Sequence, residues 1–185
     1  MSFPDLQTER LILNQLNEQD TSALFAIFSD KKVIQYYDID AYQTESQAQQ
    51  LIEFFNKRYL ENLGIRWAIR LKENGQLIGT CGFNSLNEKM KHAGIGYELA
   101  ANQWGYGYAS EAISKIIELA FSRASPFCEL YRIQGDTMIG NEASEAVLKK
   151  LGFKEEGVRR ASGFWKGEFH DLKCFGLIKP EFKAL

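Results

Sequence analysis

Apolar residues recur along the chain at two spacings, which divide it into strands and helices. Alternating apolar positions predict strands over residues 10–16, 67–71, 77–83, 95–99, 131–136, 153–161 and 170–178. Three- and four-residue spacing predicts helices after Asn17, after Thr44, and over residues 108–120 and 142–151. The order is strand, two helices, three-stranded meander, helix, strand, helix and hairpin. This order predicts an α+β domain with a mixed sheet rather than a regular doubly wound fold.

Local signals bound several of these elements. Asn17 has the side chain of a helix N-cap, and Thr44 with Gln47 forms a capping box. Gly64 is predicted to stop the second helix, and Asn74-Gly75 is typical of a tight hairpin turn.

Composition narrows the class of protein. The chain has 185 residues, which favours a single domain over residues 1–185, and 45% of them are apolar. A formal net charge of −2 disfavours nucleic acid as a partner. Three cysteines without paired spacing fit a reducing cytoplasm, and two well-separated histidines form no metal-ligand set. No signal peptide and no apolar stretch of about 20 residues is seen, so we expect a cytoplasmic protein without a membrane segment.

The most informative segment lies between the strand at 95–99 and the following helix, over residues 104–111. Gly105 and Gly107 allow the backbone to direct its N–H groups inward at the start of a helix. Such free N–H groups bind phosphate, and a pyrophosphate site is one reading of the segment. The alternative is a tight strand-to-helix turn that holds no ligand. Neither a dinucleotide fingerprint nor a Walker-type loop is present.

A second constellation opens the next helix. Asn141 precedes Glu142, Ala143 and Ser144, and an asparagine at this place is explained by helix capping alone. The Ser144 hydroxyl could also serve the cap. Only the combination with the glycine segment upstream favours a binding role.

Taken together, these strings resemble a known family. They read Thr-Glu-Arg-Leu-Ile-Leu at 8–13, Ile-Gly-Tyr-Glu-Leu at 95–99, Trp-Gly-Tyr-Gly-Tyr-Ala-Ser-Glu-Ala at 104–112, Asn-Glu-Ala-Ser at 141–144 and Leu-Gly-Phe at 151–153, with Gly167 and Asp171 in the closing hairpin. In content and order they resemble the RimJ/RimL branch of the GNAT N-acetyltransferases. The resemblance covers nearly the whole chain.

The resemblance implies a V-shaped mixed sheet flanked by helices and splayed between its fourth and fifth strands, with acetyl-coenzyme A lying in the splay as cosubstrate. Backbone N–H groups of residues 105–109 would hold its pyrophosphate, Asn141 would bind the pantetheine arm, and Ser144 would lie near the thioester sulfur. The cofactor-binding residues implied are Leu99, Trp104, Gly105, Gly107, Tyr108, Ala109, Asn141 and Ser144. In the family this loop usually begins with Gln or Arg, and this chain has Asn102 at that position. Because the implied phosphate contacts are made mostly by the backbone, we expect this change to be tolerated.

Acetylation of an amine needs a proton acceptor, an oxyanion site and an acid for the leaving thiolate. A backbone N–H within residues 97–99 could serve the oxyanion, and Ser144 could assist the thiolate. Glu98 is the candidate base, although strand alternation could equally point it away from the site. His92 and His170 are alternatives by their ordinary pKa, and a water relay is another.

Several acceptors remain open. The leading hypothesis is the α-amine of a protein N-terminus of the ribosomal-protein type, and the runner-up is a small amine such as a polyamine or an aminoglycoside. A non-catalytic acyl-coenzyme A sensor is the alternative from another class. Aromatic residues around Trp67, Phe164 and Trp165 could form a homodimer or substrate surface, although the core is the favoured place for them.

Overall fold

The computed structural model describes residues 2–185, in which eight strands form one mixed sheet. The strands are β1 (Leu6–Gln7), β2 (Leu11–Gln15), β3 (Ile65–Leu71), β4 (Leu77–Asn87), β5 (His92–Leu99), β6 (Arg132–Met138), β7 (Lys154–Trp165) and β8 (Glu168–Ile178). Their order in the sheet is β1-β2-β3-β4-β5-β6-β8-β7. Only β5 and β6 pair in parallel. The mixed α+β sheet expected from the sequence is therefore confirmed.

Helices cover both faces of the sheet. They are α1 (Thr21–Ser29), α2 (Glu45–Leu60), α3 (Tyr108–Ala120) and α4 (Glu142–Lys150). Because side chains alternate along a strand, β3 directs Ala68 toward α1 and α2 and directs Trp67 and Ile69 into the core shared with α3 and α4. None of the helices described within residues 2–185 is long and apolar enough to cross a membrane.

The sheet opens between β5 and β6. The two strands pair at three positions only, from His92 opposite Arg132 to Gly94 opposite Gln134, and then diverge. This opening is the predicted V between the fourth and fifth strands, since the two-residue β1 was absent from the prediction. The second half of β5 consequently keeps one edge free of strand partners.

Local signals were mostly interpreted correctly, with one exception. Thr44 and Gln47 form the capping box of α2, and Asn17 caps a short 3-10 helix that leads into α1. Gly64 does not stop α2. Asn62 takes the left-handed conformation there (φ 55°), while a Cβ on Gly64 would lie 2.5 Å from the Phe83 carbonyl oxygen. Gly64 is thus required by close approach to β4 rather than by helix termination.

The closing hairpin extends beyond the core. Lys166 and Gly167 form its turn, as predicted, and Asp171 accepts a 2.8 Å hydrogen bond from the Ala161 N–H at a bulge in β7. Trp67 is buried in the core, as favoured. Core placement was wrong for Phe164, which is 63% exposed because it lies near the hairpin tip, where it packs against Phe169.

Candidate active site

A cavity of about 440 Å³ lies at the opening of the sheet, beside the starts of α3 and α4. The segment between α1 and α2 forms another wall through Lys32, Gln35, Tyr36 and Tyr37. The candidates Glu98 and Ser144 and all the coenzyme-binding residues implied by the resemblance line this one cavity. These residues are Glu98, Leu99, Trp104, Gly105, Gly107, Tyr108, Ala109, Asn141 and Ser144.

The segment before α3 presents a row of unpaired backbone donors. Gly105 and Gly107 both take left-handed conformations, with φ of 84° and 82°. The first bond of the helix runs from the Glu111 N–H to the Gly107 carbonyl at 3.1 Å. Within residues 2–185 the six N–H groups of residues 105–110 have no acceptor. A left-handed turn followed by a helix N-terminus is an anion-binding arrangement, and it fits a pyrophosphate.

A clamp from the start of the chain holds this segment. Thr8 Oγ1 donates to Glu111 at 2.5 Å, and Arg10 donates to the same carboxylate through its N–H at 2.9 Å and its Nε at 2.7 Å. Arg10 also donates to the Tyr106 carbonyl and lies 4.5 Å from the centre of the Tyr108 ring. Burial raises the pKa of Glu111, but the hydrogen bonds from Thr8 and Arg10 and the charge of Arg10 leave the pKa below its usual value.

At the start of α4, Asn141 caps the helix and the Ser144 hydroxyl makes a different contact. Asn141 Oδ1 accepts the Ser144 N–H at 3.2 Å, so Asn141 is the N-cap and its amide nitrogen is left to donate. The Ser144 hydroxyl does not cap the helix. It lies 2.6 Å from the Tyr97 hydroxyl, and burial raises the pKa of Tyr97 to about 12. Tyr97 is therefore a neutral phenol near pH 7 that is hydrogen-bonded to the Ser144 hydroxyl and also lies 3.1 Å from the Ser144 carbonyl oxygen, a partnership absent from the sequence-based reading.

The free edge of β5 directs main-chain groups into the opening. The Leu99 carbonyl accepts from Trp104 Nε1 at 2.9 Å, and the Tyr97 carbonyl accepts from the Tyr37 hydroxyl at 3.4 Å. Both carbonyls consequently point away from β4. In an antiparallel strand the N–H and C=O of one residue point to the same side, so the N–H groups of Tyr97 and Leu99 also face the opening.

Glu98 lies on the other face of β5, within a buried network. Its carboxylate is ion-paired with Arg66, and the two side chains are 2% and 3% exposed. Thr80 and Tyr37 also donate to it, so both carboxylate oxygens already accept hydrogen bonds. Tyr37 is the neighbour that connects this carboxylate with the cavity, because its hydroxyl donates to Glu98 and its side chain lines the wall.

Tyr37 also connects the site to a second cavity of about 400 Å³, on the face covered by α1 and α2. Burial and the neighbouring Glu98 raise the pKa of Tyr37 well above its usual value, which keeps the phenol protonated. The sequence-based reading missed this residue because it lies in an irregular segment without a motif. The one available signal was a pair of adjacent tyrosines, Tyr36-Tyr37.

The remaining candidates lie apart from the reacting region. His170 Nε2 donates to the Trp165 carbonyl and its ring stacks on the Trp165 ring, and His92 begins β5 at the closed end of the opening. Burial raises the pKa of Cys81 to about 12, which disfavours a thiolate. Among residues 2–185 no group of three or more His, Cys, Asp or Glu could hold a metal ion.

Comparisons with known proteins agree with the geometry. Residues 10–154 match the family described as "Acetyltransferase (GNAT) domain". The chain is 40% identical over 178 residues to the N-acetyltransferase YoaA of Bacillus subtilis, covering 96% of this chain and 98% of that protein. It is 37% identical over 177 residues to the N-acetyltransferase p20 of Bacillus licheniformis, covering 96% and 97%. Both relatives carry names that describe them as uncharacterized.

Solved structures share the fold. The RimL ribosomal L7/L12 alpha-N-protein acetyltransferase superposes with a TM-score of 0.84 at 20% identity, covering 95% of this chain and 94% of that one. The microcin C7 self-immunity acetyltransferase MccE, solved with acetyl-coenzyme A and AMP, gives 0.82 at 22% identity, covering 92% and 93%. The open sheet and its anion-binding turn are those of an acyltransferase fold. The chain belongs to the GNAT acetyltransferase family and is an acetyl-coenzyme A-dependent N-acetyltransferase.

Proposed function

We propose that the chain acetylates the α-amine of a protein or peptide N-terminus, by direct attack on bound acetyl-coenzyme A. One observation carries the choice of amine: among the described residues that line the coenzyme cavity, the one carboxylate is Glu98, which is buried and already paired with Arg66. An α-amine has a pKa of about 7.7–8.0, against about 10.4 for a lysine side chain. A site whose proton route ends at an ion-paired carboxylate therefore suits an α-amine, of which a sizeable fraction is neutral near pH 7.

On the coenzyme side, the unpaired N–H groups of residues 105–110 would hold the pyrophosphate, with Gly105 and Gly107 giving the turn its shape. The Asn141 amide nitrogen would donate to the pantetheine arm. Leu99, Trp104, Tyr108 and Ala109 would line the channel. Acetyl-coenzyme A supplies the activated acetyl group, and these residues orient its thioester toward the free edge of β5.

During transfer, the amine nitrogen bonds to the carbonyl carbon and the carbon–sulfur bond breaks. An N–H of Tyr97 or Leu99 stabilises the negative charge that develops on the carbonyl oxygen. The Ser144 hydroxyl, hydrogen-bonded to the neutral phenol of Tyr97, donates a hydrogen bond to the sulfur and stabilises it as coenzyme A leaves as the thiolate. The Tyr37 hydroxyl accepts the surplus amine proton as its own proton moves to Glu98. Proximity of the two substrates supplies the rest, so no covalent enzyme intermediate is needed.

The runner-up acceptor is a small amine, such as a polyamine or an aminoglycoside. The structural likeness to RimL is a likeness of fold and does not itself distinguish the two acceptors. Membership of the family favours an enzyme over the non-catalytic sensor. The single domain over residues 1–185, the cytoplasmic location and the homodimer expected from the sequence stay predictions.

The test is release of free thiol from acetyl-coenzyme A with three acceptors. These are a peptide with a free N-terminus, the same peptide blocked at its N-terminus but carrying lysine, and spermidine. We expect the largest kcat/KM for the free N-terminus. A preference for the blocked peptide or for spermidine would replace the proposal with the runner-up.

A further inference from the structure

The second cavity has an aromatic lining. Six rings contribute to it, from Phe28, Tyr37, Tyr42, Phe54, Phe55 and Phe83. Three aliphatic side chains, from Ile39, Leu51 and Ile65, also line it, together with four polar residues, Asp38, Arg58, Arg66 and Asn84. A volume of about 400 Å³ is enough for one large side chain and part of the chain that follows it. The aromatic and aliphatic part of the wall gains from a buried apolar side chain, whereas burying a polar side chain against it costs free energy unless one of the four polar residues pairs with that side chain.

This cavity adjoins the reacting region directly. Tyr37 lines both cavities, and Glu98, which lines the coenzyme cavity, is ion-paired with Arg66, which lines the second. The partition is therefore one layer of side chains thick. An amine held beside Tyr37 would place the substituent on its own α-carbon against the aromatic wall.

The charges around the cavity disfavour a second cation. Arg58 donates to the Leu63 and Asn84 carbonyls and has no carboxylate partner among residues 2–185, so it keeps a full positive charge at the wall. The charge of Arg66 is balanced by Glu98. Asp38 is exposed and makes no ion pair within the described residues, which leaves a carboxylate to attract the ammonium of an incoming acceptor. An acceptor with one ammonium group followed by an apolar group fits this pattern of charges. A polyamine would bring its second ammonium group close to the positive charge of Arg58, which repels it.

We infer that the acceptor carries an aromatic or large aliphatic side chain on the carbon that bears its α-amine, and that Phe54 determines this specificity. The inference rests on the proposed function and narrows its substrate class. Phe54 is 50% exposed, and its ring lies 5.8 Å from that of Phe55 and 5.4 Å from the Arg58 guanidinium. An apolar side chain entering the cavity covers this ring and removes it from water.

The first experiment compares four peptides that differ only in the first residue: phenylalanine, leucine, serine or lysine. Binding to the protein loaded with coenzyme A is measured by calorimetry, and kcat/KM is measured by thiol release. We expect phenylalanine and leucine to exceed serine and lysine by about 10- to 100-fold in both measurements, as burial of one large apolar side chain allows. Equal or better binding by the serine or lysine peptide would overturn the inference.

The two measurements separate this inference from the proposed function. Preferential binding of the phenylalanine peptide without acetylation would leave the apolar pocket standing and contradict the N-terminal activity. Acetylation of all four peptides with equal kcat/KM would leave the activity standing and contradict the pocket.

A matched pair of variants on α2 tests the assignment to Phe54. Phe54→Ala should lower kcat/KM for the phenylalanine peptide about tenfold and leave the serine peptide nearly unchanged. Leu60→Ala is the control, because Leu60 is 79% exposed on the same helix and does not line the cavity. Both positions are exposed, so unfolding temperatures should stay close to the parent's. A Phe54→Ala variant that treats the four peptides as the parent does would contradict the role of Phe54.

Discussion

The two cavities that meet at Tyr37 are built from different parts of the polypeptide. The coenzyme cavity is formed largely by main chain: unpaired N–H groups at residues 105–110, the free edge of β5 and a helix N-terminus. The second cavity is formed by side chains, six of the thirteen aromatic, from α1, α2, β3, β4 and the segment between the two helices. Main-chain recognition depends on backbone shape, whereas side-chain recognition changes with each substitution. Coenzyme binding should therefore fail through backbone strain, and acceptor choice should change through single side chains.

The largest effect is expected for Gly107→Val. Gly107 has a φ of 82°, which a β-branched residue adopts at a cost of about 1–3 kcal/mol. The turn would relax by redirecting N–H groups that would hold the pyrophosphate, and several charge-assisted hydrogen bonds would be lost. We expect coenzyme A to bind about 100-fold more weakly by calorimetry.

Gly75→Val provides the matched control. Gly75 has a comparable φ of 74° in a hairpin turn, and a Cβ there would meet no heavy atom within 4 Å. It should lower stability by a similar amount and leave coenzyme affinity unchanged. Equal loss of affinity in both variants, or unchanged affinity for Gly107→Val, would remove the turn from the binding site.

A smaller effect is expected at the junction of the two cavities. Tyr37→Phe removes the hydroxyl that donates to Glu98, and with it the route for the amine proton. We expect kcat to fall about 30-fold at pH 7, less than the roughly 100-fold or more typical for loss of a general base because water can replace the hydroxyl in the relay, with little change in the KM for acetyl-coenzyme A. Raising the pH above the α-amine pKa of about 7.7–8.0 should recover part of the activity, because most of the amine is then neutral.

Tyr42→Phe is the control for this change, since Tyr42 lines the same cavity without a hydrogen bond to Glu98. A pH-rate profile for Tyr37→Phe that is parallel to the parent's at all values would show that the hydroxyl only supports the network around Arg66.

Next in size is Ser144→Ala, which separates catalysis from helix capping. The Ser144 hydroxyl bonds to Tyr97, while the cap is made by the Asn141 side chain. Ser144→Ala should therefore lower kcat about tenfold, change KM little and leave the free energy of unfolding almost unaltered. Asn141→Ala should instead cost about 1 kcal/mol of stability as well as coenzyme affinity. A loss of stability alone in Ser144→Ala would assign the hydroxyl to structure.

The contrast between the cavities also explains what could be read from the sequence. On the coenzyme side, local signals located the loop and the helix start: glycines before an amphipathic helix, an Asn N-cap, and a strand that ends beside them. The individual coenzyme-binding residues came from the resemblance to the RimJ/RimL branch, and they line one cavity. The partnership of Tyr97 with Ser144 was missed, because a contact across 47 residues leaves no local pattern.

On the acceptor side, little could be predicted. Phe28, Tyr37, Phe54 and Phe83 lie on four different segments, and each is explained singly as a core aromatic. Glu98 illustrates the same limit, since alternation along β5 left its direction open and its partner Arg66 lies on β3. Ion pairs between distant segments decide which carboxylate is free to accept a proton, and the sequence alone does not reveal these pairs.

The smallest effect concerns the clamp that holds the coenzyme turn from outside. Hydrogen bonds from Thr8 and Arg10 keep the pKa of Glu111 below its unfolded value of about 4.3, despite the opposing effect of burial. A carboxylate with a lowered pKa contributes stability above its unfolded pKa and loses it as the pH falls through the folded pKa. Because the Arg10 side chain is 44% exposed, we expect its ion pair with Glu111 to contribute no more than about 1 kcal/mol to the free energy of unfolding. Glu111→Gln should therefore lower the urea midpoint slightly at pH 7 and converge with the parent as the pH falls below the folded pKa of Glu111. Glu118→Gln, which removes an exposed carboxylate paired with Lys115 on the same helix, should show neither change. If the urea midpoints of the parent and Glu111→Gln differ by the same amount at every pH, protonation of Glu111 is not linked to folding.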